Sequence, residues 1–296
     1  MSRLRSALTL LLTALIWGAA FVAQSKGNEH IGPWTFTCLR FVIGGFTLLS
    51  LMPLLDRLRG NARKPVTEEE RRHLFKAGIL CGVFLCAASV FQQTGILYTT
   101  VGKAGFLTAL YVILVPLLGM FAGTKTDGKV WLAALIALGG FWLLSVKEGF
   151  SIAFGDLLLV ACSILFAGHI LVIDRYGHNT DGVRLSCVQF FTASLLCLVP
   201  MIVIEKPSLS AILDAWAPVL YAGVLSSGAG YTLQIIGQKG IEPAAAGMIL
   251  SLESVFSALA GFVILHQVLS SRELLGCALV FAAVIIAQLP AEKNNT

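Results

Sequence analysis

Ten apolar stretches of 16 to 24 residues recur along the chain and limit what it can fold into. About 20 helical residues, at 1.5 Å each, cross a hydrocarbon core roughly 30 Å thick. The stretches are continuously apolar, whereas the strands of a membrane barrel alternate lipid-facing and lumen-facing residues. The sequence therefore predicts an all-α integral membrane protein with ten transmembrane helices. The predicted spans are residues 6–24, 33–55, 74–97, 104–121, 130–146, 156–173, 183–204, 213–236, 243–265 and 274–289.

Composition supports a membrane protein over a soluble one. Hydrophobic residues make up 57% of the 296 residues and charged residues 12%, whereas about 25% of residues are charged in soluble domains. Arg3 and Arg5 precede the first apolar run, as in a secretory signal, but this run has a counterpart in the second half. We therefore expect the first span to be retained, with no soluble domain at either end.

The second half of the chain repeats the first. Residues 163–167 and 187–190 correspond to residues 14–18 and 38–41 at an offset of 149, and residues 241–257 correspond to residues 101–117 at an offset of 140. Internal repetition of membrane segments is typical of transporters. The repeat predicts two units of five helices each, residues 1–150 and 151–296.

The distribution of lysine and arginine predicts the orientation. With the N-terminus in the cytoplasm, 15 basic residues lie in inside segments and five lie in outside loops, as the positive-inside rule requires. Both termini are then cytoplasmic. Because five helices are an odd number of crossings, the second unit is inverted relative to the first. The five outside residues are Lys26, Lys103, Lys147, Lys206 and Arg272.

The sequence gives no support for nucleic-acid binding, metal or cofactor binding, ATP-driven pumping or enzyme activity. Topology accounts for the net charge of +5, so no nucleic-acid partner is expected. All seven cysteines lie within predicted spans without a CxxC pair, which predicts packing residues, no metal and no cofactor. We find no ATP-binding signature and no HExxH or GxSxG motif, so we expect neither an ATP-driven pump nor an enzyme.

Two charged residues lie deep inside the predicted spans, far from the ends, where they need a partner, water or ligand. Glu253 lies ten residues after Pro243, and its repeat counterpart is Ile113, so the acid occurs in one unit only. It either binds a cationic group or a coupling proton, or makes a structural hydrogen bond. Arg40 lies seven residues after Pro33. It either binds a substrate carboxylate or phosphate, or pairs with Glu253 or with backbone carbonyls.

Further polar and aromatic residues in the spans are candidates for lining a central binding site. Gln93 and Gln234 fall near the same repeat position, and His169 is a candidate proton carrier. Interhelical hydrogen bonds are the structural alternative for each of these residues. The complete set of substrate-binding candidates is Trp17, Arg40, Gln92, Gln93, Tyr111, His169, Tyr231, Gln234 and Glu253, with Glu253 as the proton-coupling candidate.

Several segments resemble the ten-helix EamA-like transporters of the drug/metabolite transporter superfamily. The similarity covers nearly the whole chain and is carried by residues 14–22, 39–41, 98–107, 252–256 and 274–280. Ser254 stands where the family often has a proline, so no proline kink is expected there. The resemblance implies a metabolite carrier or exporter of the cell inner membrane, which works by alternating access with its site between the two repeats.

These observations together predict a secondary transporter that exports or exchanges small polar metabolites such as amino acids, with protons as a candidate coupling ion. A multidrug or cationic-compound efflux transporter is the alternative, and a channel or membrane-embedded enzyme is less well supported. Expected partners are a small-molecule substrate and the lipid bilayer. The functional unit is a monomer or a homodimer.

Overall fold

The computed structural model describes residues 2–58, 67–121, 123, 126–145, 153–178, 180–265 and 270–289. Within these residues, nine helices are long and apolar enough to span a membrane, and a tenth apolar helix is shorter. The chain is therefore an all-α membrane protein of about ten helices, as predicted. We number the spans α1 Arg3–Gly27, α2 Pro33–Arg57, α3 Glu68–Ile96, α4 Val101–Phe121, α5 Gly128–Leu143, α6 Phe154–Gly177, α7 Gly182–Glu205, α8 Trp216–Gln238, α9 Pro243–Ile264 and α10 Ser271–Gln288.

Helix starts follow local capping signals in the sequence. The Oγ1 of Thr67 accepts a hydrogen bond from the backbone N–H of Glu70 at 3.2 Å, and the Glu70 carboxylate accepts one from the Thr67 N–H at 2.9 Å. This reciprocal pair satisfies two backbone donors that the first turn of a helix leaves free. Ser270 and Glu273 make the same arrangement at the start of α10.

Two spans are interrupted in the middle. Within α4, the helices Val101–Ala109 and Tyr111–Phe121 meet at Leu110. Within α9, the helices Pro243–Leu250 and Glu253–Leu265 are separated by two residues. The α9 break contains no proline, and at this point the Ser251 hydroxyl donates to the carbonyl of Met248 at 2.7 Å. Each second half-helix therefore starts inside the protein.

The spans pack in pairs that join the two halves of the chain. Helix α2 packs along α7 and α5 along α10, while α3 contacts α6 and α7, and α1 contacts α8 and α9. Phe41 and Phe190 stack at the α2–α7 contact with ring centroids 5.6 Å apart. The outward faces remain apolar, as contact with lipid requires; examples are Leu8, Phe46, Leu135, Leu195 and Ile285.

Charged side chains connect the ends of helices from the two halves. At one end, the Glu205 carboxylate accepts from the backbone N–H groups of Trp34 at 2.9 Å and Thr35 at 2.7 Å, which satisfies the start of α2. At the other end of the same pair, Arg184 Nη2 lies 2.8 Å from Asp56 Oδ2. The α2–α7 pair is thus fixed at both ends.

Helix α1 approaches α9 so closely that only glycine fits at position 18. A Cβ on Gly18 would lie 2.7 Å from the backbone carbon of Phe256 and 2.9 Å from the backbone nitrogen of Ser257. Backbone cannot move aside as a side chain can, and overpacking of this kind typically costs about 1–3 kcal/mol. We expect Gly18→Ala to lower the thermal unfolding midpoint of the detergent-solubilised protein by several degrees.

Gly139→Ala is the matched control for this substitution. Gly139 lies within α5, and a Cβ there would meet no atom within 4 Å. Alanine also has the higher helix propensity, so the midpoint should stay constant or rise slightly. An unchanged midpoint for Gly18→Ala would contradict the close α1–α9 contact.

All seven cysteines are free and buried. Cys86 and Cys197 lie closest to each other, with sulfur atoms 3.4 Å apart at the α3–α7 contact. The thiols fill space between helices, as expected from their positions in apolar runs.

Candidate functional site

A central cavity lies between seven of the spans. The space that protein atoms leave empty there is about 410 Å³, part of which is open to solvent, and the centre of a water-sized sphere can occupy about 20 Å³ of it. Helices from both halves of the chain contribute to its wall, and both interrupted spans reach it. The lining residues are Trp17, Ala20, Phe21 and Gln24 of α1, Arg40 of α2, Gln92 of α3, Tyr111 of α4, Phe166 and Ile170 of α6, Ser226, Tyr231 and Gln234 of α8, and Leu250 and Glu253 of α9.

Most of the candidates from the sequence lie on this wall. Gln93 and His169 lie outside it. The seven candidates that line the cavity are Trp17, Arg40, Gln92, Tyr111, Tyr231, Gln234 and Glu253. Charged, amide and aromatic groups thus line one shared space, which is typical of a ligand site with a few oriented polar groups.

The interruption of α9 places Glu253 in the cavity wall. Glu253 is the first residue of the second half-helix and is 4% exposed. The hydroxyl of Tyr111 donates to its Oε1 at 2.9 Å, and Tyr111 is itself the first residue of the second half of α4. Partial positive charge at a helix N-terminus favours an acid at this position. The two broken spans therefore meet at the cavity through this hydrogen bond, and next to it the Ser254 hydroxyl donates to the carbonyl of Gly105 at 2.9 Å.

Arg40 provides the opposite charge. It is 1% exposed, and its guanidinium carbon lies 4.7 Å from the centroid of the Phe41 ring. Two of its nitrogens, Nε and Nη2, have no hydrogen-bond partner among the described residues. The structure shows no ion pair between Arg40 and Glu253 in the described part of the chain, although both line the same cavity. Of the structural alternatives for Arg40, pairing with Glu253 is thus not observed.

Aromatic rings cluster around Tyr231 at the cavity. The rings of Trp17 and Tyr231 lie 4.6 Å apart between centroids, and Phe41 lies 6.2 Å from Tyr231. The indole N–H of Trp17 donates to the carbonyl of Ser226 at 3.1 Å. This bond holds the indole ring against α8. Wide π-helical turns over Tyr221–Tyr231 shape that part of α8.

Three amide side chains complete the polar lining. Gln92 donates to the Thr108 hydroxyl at 3.4 Å. The amide oxygens of Gln24 and Gln234 are buried and have no hydrogen-bond partner in the described residues. Buried acceptors without a partner are rare in proteins, and each one needs an explanation such as water or ligand. Residues that line the cavity thus carry buried acceptors and donors without a partner among the described residues, as do some residues away from it, such as Ser6 and Gln238.

The two candidates outside the cavity make interhelical bonds instead. Gln93 donates to the carbonyl of Gln24 at 3.0 Å and to Oδ1 of Asn28 at 2.7 Å, so it connects α3 to the end of α1. His169 Nε2 lies 3.0 Å from Oε1 of Gln189, which connects α6 to α7. Interhelical hydrogen bonding was the structural alternative for both residues.

Sequence reasoning did not single out several lining residues. Gln24 was the last residue of the first predicted span, whereas the helix extends to Gly27 and buries it. Phe166, Ser226 and Leu250 carry no signal that separates them from packing residues. Among the described residues, no group of three or more His, Cys, Asp or Glu side chains could hold a metal ion.

An all-α membrane architecture with a polar cavity lined by both halves of the chain is typical of transporters. Residues 4–146 and 153–288 match the EamA-like transporter family, and the chain is a member of that family. It is 28% identical over 288 residues to an uncharacterized transporter of Archaeoglobus fulgidus, covering 97% of this chain and 87% of that protein. It is 26% identical over 304 residues to the uncharacterized transporter YwfM of Bacillus subtilis, with coverage of 98% and 95%.

A solved structure described only as "Crystal structure of protein" has the same fold. Its TM-score is 0.76 at 22% sequence identity, and the match covers 98% of this chain and 99% of that chain. At this identity the similarity establishes the fold and carries no information about the substrate.

Proposed function

We propose that the protein is a secondary transporter that exports or exchanges small polar metabolites such as amino acids. The observation that carries the proposal is a pair of opposite charges, Arg40 and Glu253, which are buried in one cavity without pairing to each other. Buried charges are costly unless a partner compensates them. A substrate with both an anionic and a cationic group supplies the missing partners.

Access to the cavity alternates between two inverted repeats in this proposal, residues 1–150 and 151–296. The packing of corresponding helices supports two repeats. The second helices of the two halves, α2 and α7, pack on each other, and so do the fifth helices, α5 and α10. Further support comes from the interruptions of α4 and α9, whose second half-helices begin at Tyr111 and Glu253, 142 residues apart and thus close to the 140-residue offset of the sequence repeat. The boundary at residue 150 lies outside the described residues. Discontinuous helices at repeat-related positions are a feature of transporter binding sites.

Protons are the proposed coupling ion, and Glu253 carries them. It is the acid that lines the cavity, and Tyr111 holds its carboxylate in a fixed position. Proton and substrate would then compete for one carboxylate, which links their binding.

In this proposal the protein lies in the cell inner membrane with both termini in the cytoplasm, and it acts as a monomer or homodimer.

Efflux of cationic compounds is the second candidate function. The Glu253 carboxylate and the rings of Trp17 and Tyr231 lie on the same cavity wall. Aromatic faces and a carboxylate together suit an organic cation. In this case Arg40 would have a structural role.

Exchange in proteoliposomes tests whether the cavity is the transport site. We expect Trp17→Ala to reduce exchange of a transported metabolite at least tenfold, because the indole ring forms one wall and positions α8. Trp216→Ala is the control, since Trp216 is 64% exposed and does not line the cavity. Equal exchange by the wild type and Trp17→Ala would place the transport site elsewhere.

A further inference from the structure

Cys86 of α3 and Cys197 of α7 lie close enough to be joined by a disulfide bond. Their sulfur atoms are 3.4 Å apart, and both residues are free and buried. Among the described residues, no other two thiols make a sulfur–sulfur contact of this kind. We propose that Cys86 and Cys197 form an oxidation site, at which a peroxide produces a disulfide bond between the two halves of the chain.

The close approach of the two helices makes this bond geometrically accessible. Gly78, Gly82 and Cys86 are spaced four apart and so lie on one side of α3. A Cβ on Gly78 would lie 2.6 Å from the Cβ of Val188, and a Cβ on Gly82 would lie 2.6 Å from the Cβ of Thr192. A disulfide requires Cβ atoms about 3.8 Å apart. The backbones thus already approach closely enough one and two turns before Cys86, and rotation of the side chains can bring the sulfur atoms to bonding distance.

The reaction needs a two-electron oxidant, which hydrogen peroxide supplies. One thiol, as its thiolate, attacks a peroxide oxygen and becomes a sulfenic acid, and one water molecule leaves. The sulfur of the second thiol then displaces the hydroxyl group of the sulfenic acid as water, and the S–S bond forms. Two thiols are oxidised and one peroxide is reduced to two water molecules. A small neutral oxidant suits the site, because both cysteines are buried.

The charge of Arg40 distinguishes this pair from inert buried thiols. Its guanidinium is close enough to both sulfur atoms for its charge to act on them. Its nitrogens Nε and Nη2 have no hydrogen-bond partner among the described residues. The thiolate is the form that reacts with peroxide, and a neighbouring arginine compensates its negative charge. The pair therefore has both the required geometry and a counter-charge.

Oxidation of the folded protein tests the site directly. Purified protein in detergent is treated with hydrogen peroxide, its remaining thiols are alkylated after denaturation, and the peptides are identified by mass spectrometry. We expect a peptide containing Cys86 to be linked to one containing Cys197, so that two of the seven free thiols disappear until dithiothreitol restores them. A protein that keeps all seven thiols, or that links a different pair, would overturn the proposal.

Single substitutions show whether the pair is specific. Cys86→Ser and Cys197→Ser each remove one sulfur atom, so each should abolish the linked peptide. Cys81→Ser is the matched control, since Cys81 is buried in the same helix but makes no sulfur–sulfur contact in the described part of the chain. Cys38→Ser is a second control, because the Cys38 thiol donates to the carbonyl of Ser194 at 3.4 Å. Loss of the bond in a control that unfolds at the wild-type temperature would contradict the assignment.

Thermal unfolding shows whether the bond fits the native packing. The bond would cross-link residues that are 111 positions apart, which reduces the conformational entropy of the unfolded chain. The oxidised wild type should therefore unfold at least about 5 °C above the reduced wild type, and Cys86→Ser should unfold at the same temperature in both conditions. A midpoint that stays constant or falls while the bond forms would mean that the helices must distort, and would overturn a site preformed by the α3–α7 contact.

Transport provides a separate readout, which rests on the function proposed above. If the two halves move relative to each other during exchange, peroxide should stop exchange of a labelled mixture of L-amino acids in proteoliposomes, and dithiothreitol should restore it. Exchange by Cys86→Ser should be insensitive to peroxide. Undiminished exchange with the linked peptide present would support the oxidation site and contradict movement of the halves at the α3–α7 contact.

Discussion

Glu253→Gln is expected to abolish accumulation of substrate against a pH gradient, while exchange continues with weaker substrate affinity because the cationic group of the substrate loses its negative partner. Glutamine has nearly the shape of glutamate and keeps an oxygen that accepts from the Tyr111 hydroxyl, which lies 2.9 Å from Glu253 Oε1 in the wild type. It cannot bind and release a proton. The variant should therefore fold and open to each side in turn, but the proton gradient would no longer drive net movement.

The measurement uses proteoliposomes loaded with an exchanged metabolite and placed in a pH gradient. The wild type should concentrate the metabolite severalfold across the membrane, and Glu253→Gln should bring the two sides only to equal concentrations. Glu242→Gln is the matched control, since Glu242 is exposed at the residue before Pro243 and does not line the cavity. Gradient-driven accumulation at the wild-type level in Glu253→Gln would show that another group couples protons.

Sequence reasoning identified the spans and the two buried charges because both stand out against an apolar background. Continuous hydrophobic runs have few alternatives to membrane helices. Within such a run, Arg40 or Glu253 is detectable without knowledge of the packing, because an ionisable group there is rare. The spans and these two residues could therefore be predicted without knowing how the helices are oriented relative to one another.

The sequence did not predict which of two adjacent side chains points into the cavity, because this depends on how the helices pack. Gln92 and Gln93 are adjacent, so their side chains point about 100° apart around α3. Gln92 lines the cavity, whereas Gln93 bonds to Gln24 and Asn28. Both glutamines have the same local sequence context, and only the contact of α3 with its neighbours separates them.

The break in α9 was also hidden from the sequence. Position 254 carries serine where a proline would have indicated a kink, and the helix is interrupted nearby at residues 251 and 252, where the Ser251 hydroxyl bonds to the Met248 carbonyl. A serine within a helix bonds to its own backbone in many straight helices as well. The break that makes Glu253 the first residue of a half-helix therefore became visible only in the folded chain.

Lys103→Met is expected to destabilise the protein on the order of 3 kcal/mol, which is typical when one partner of a buried ion pair is removed. Lys103 Nζ lies 2.6 Å from Asp156 Oδ2, and the side chains are 19% and 6% exposed. The pair joins the start of α4 to the first turn of α6, so it connects the two halves of the chain. Without the ammonium group, the Asp156 carboxylate keeps the backbone N–H of Ala153 at 2.8 Å but loses its neighbouring charge.

Thermal unfolding in detergent measures this effect, and a second ion pair provides the control. Lys26 Nζ lies 2.9 Å from Glu29 Oε1, but both side chains are more than half exposed. Exposed pairs contribute at most about 1 kcal/mol, so Lys26→Met should leave the midpoint nearly unchanged. Adding Asp156→Asn to Lys103→Met removes the uncompensated charge and should recover part of the lost stability. Equal midpoints for Lys103→Met and Lys26→Met would mean that water solvates Asp156 and that the pair does not hold the halves together.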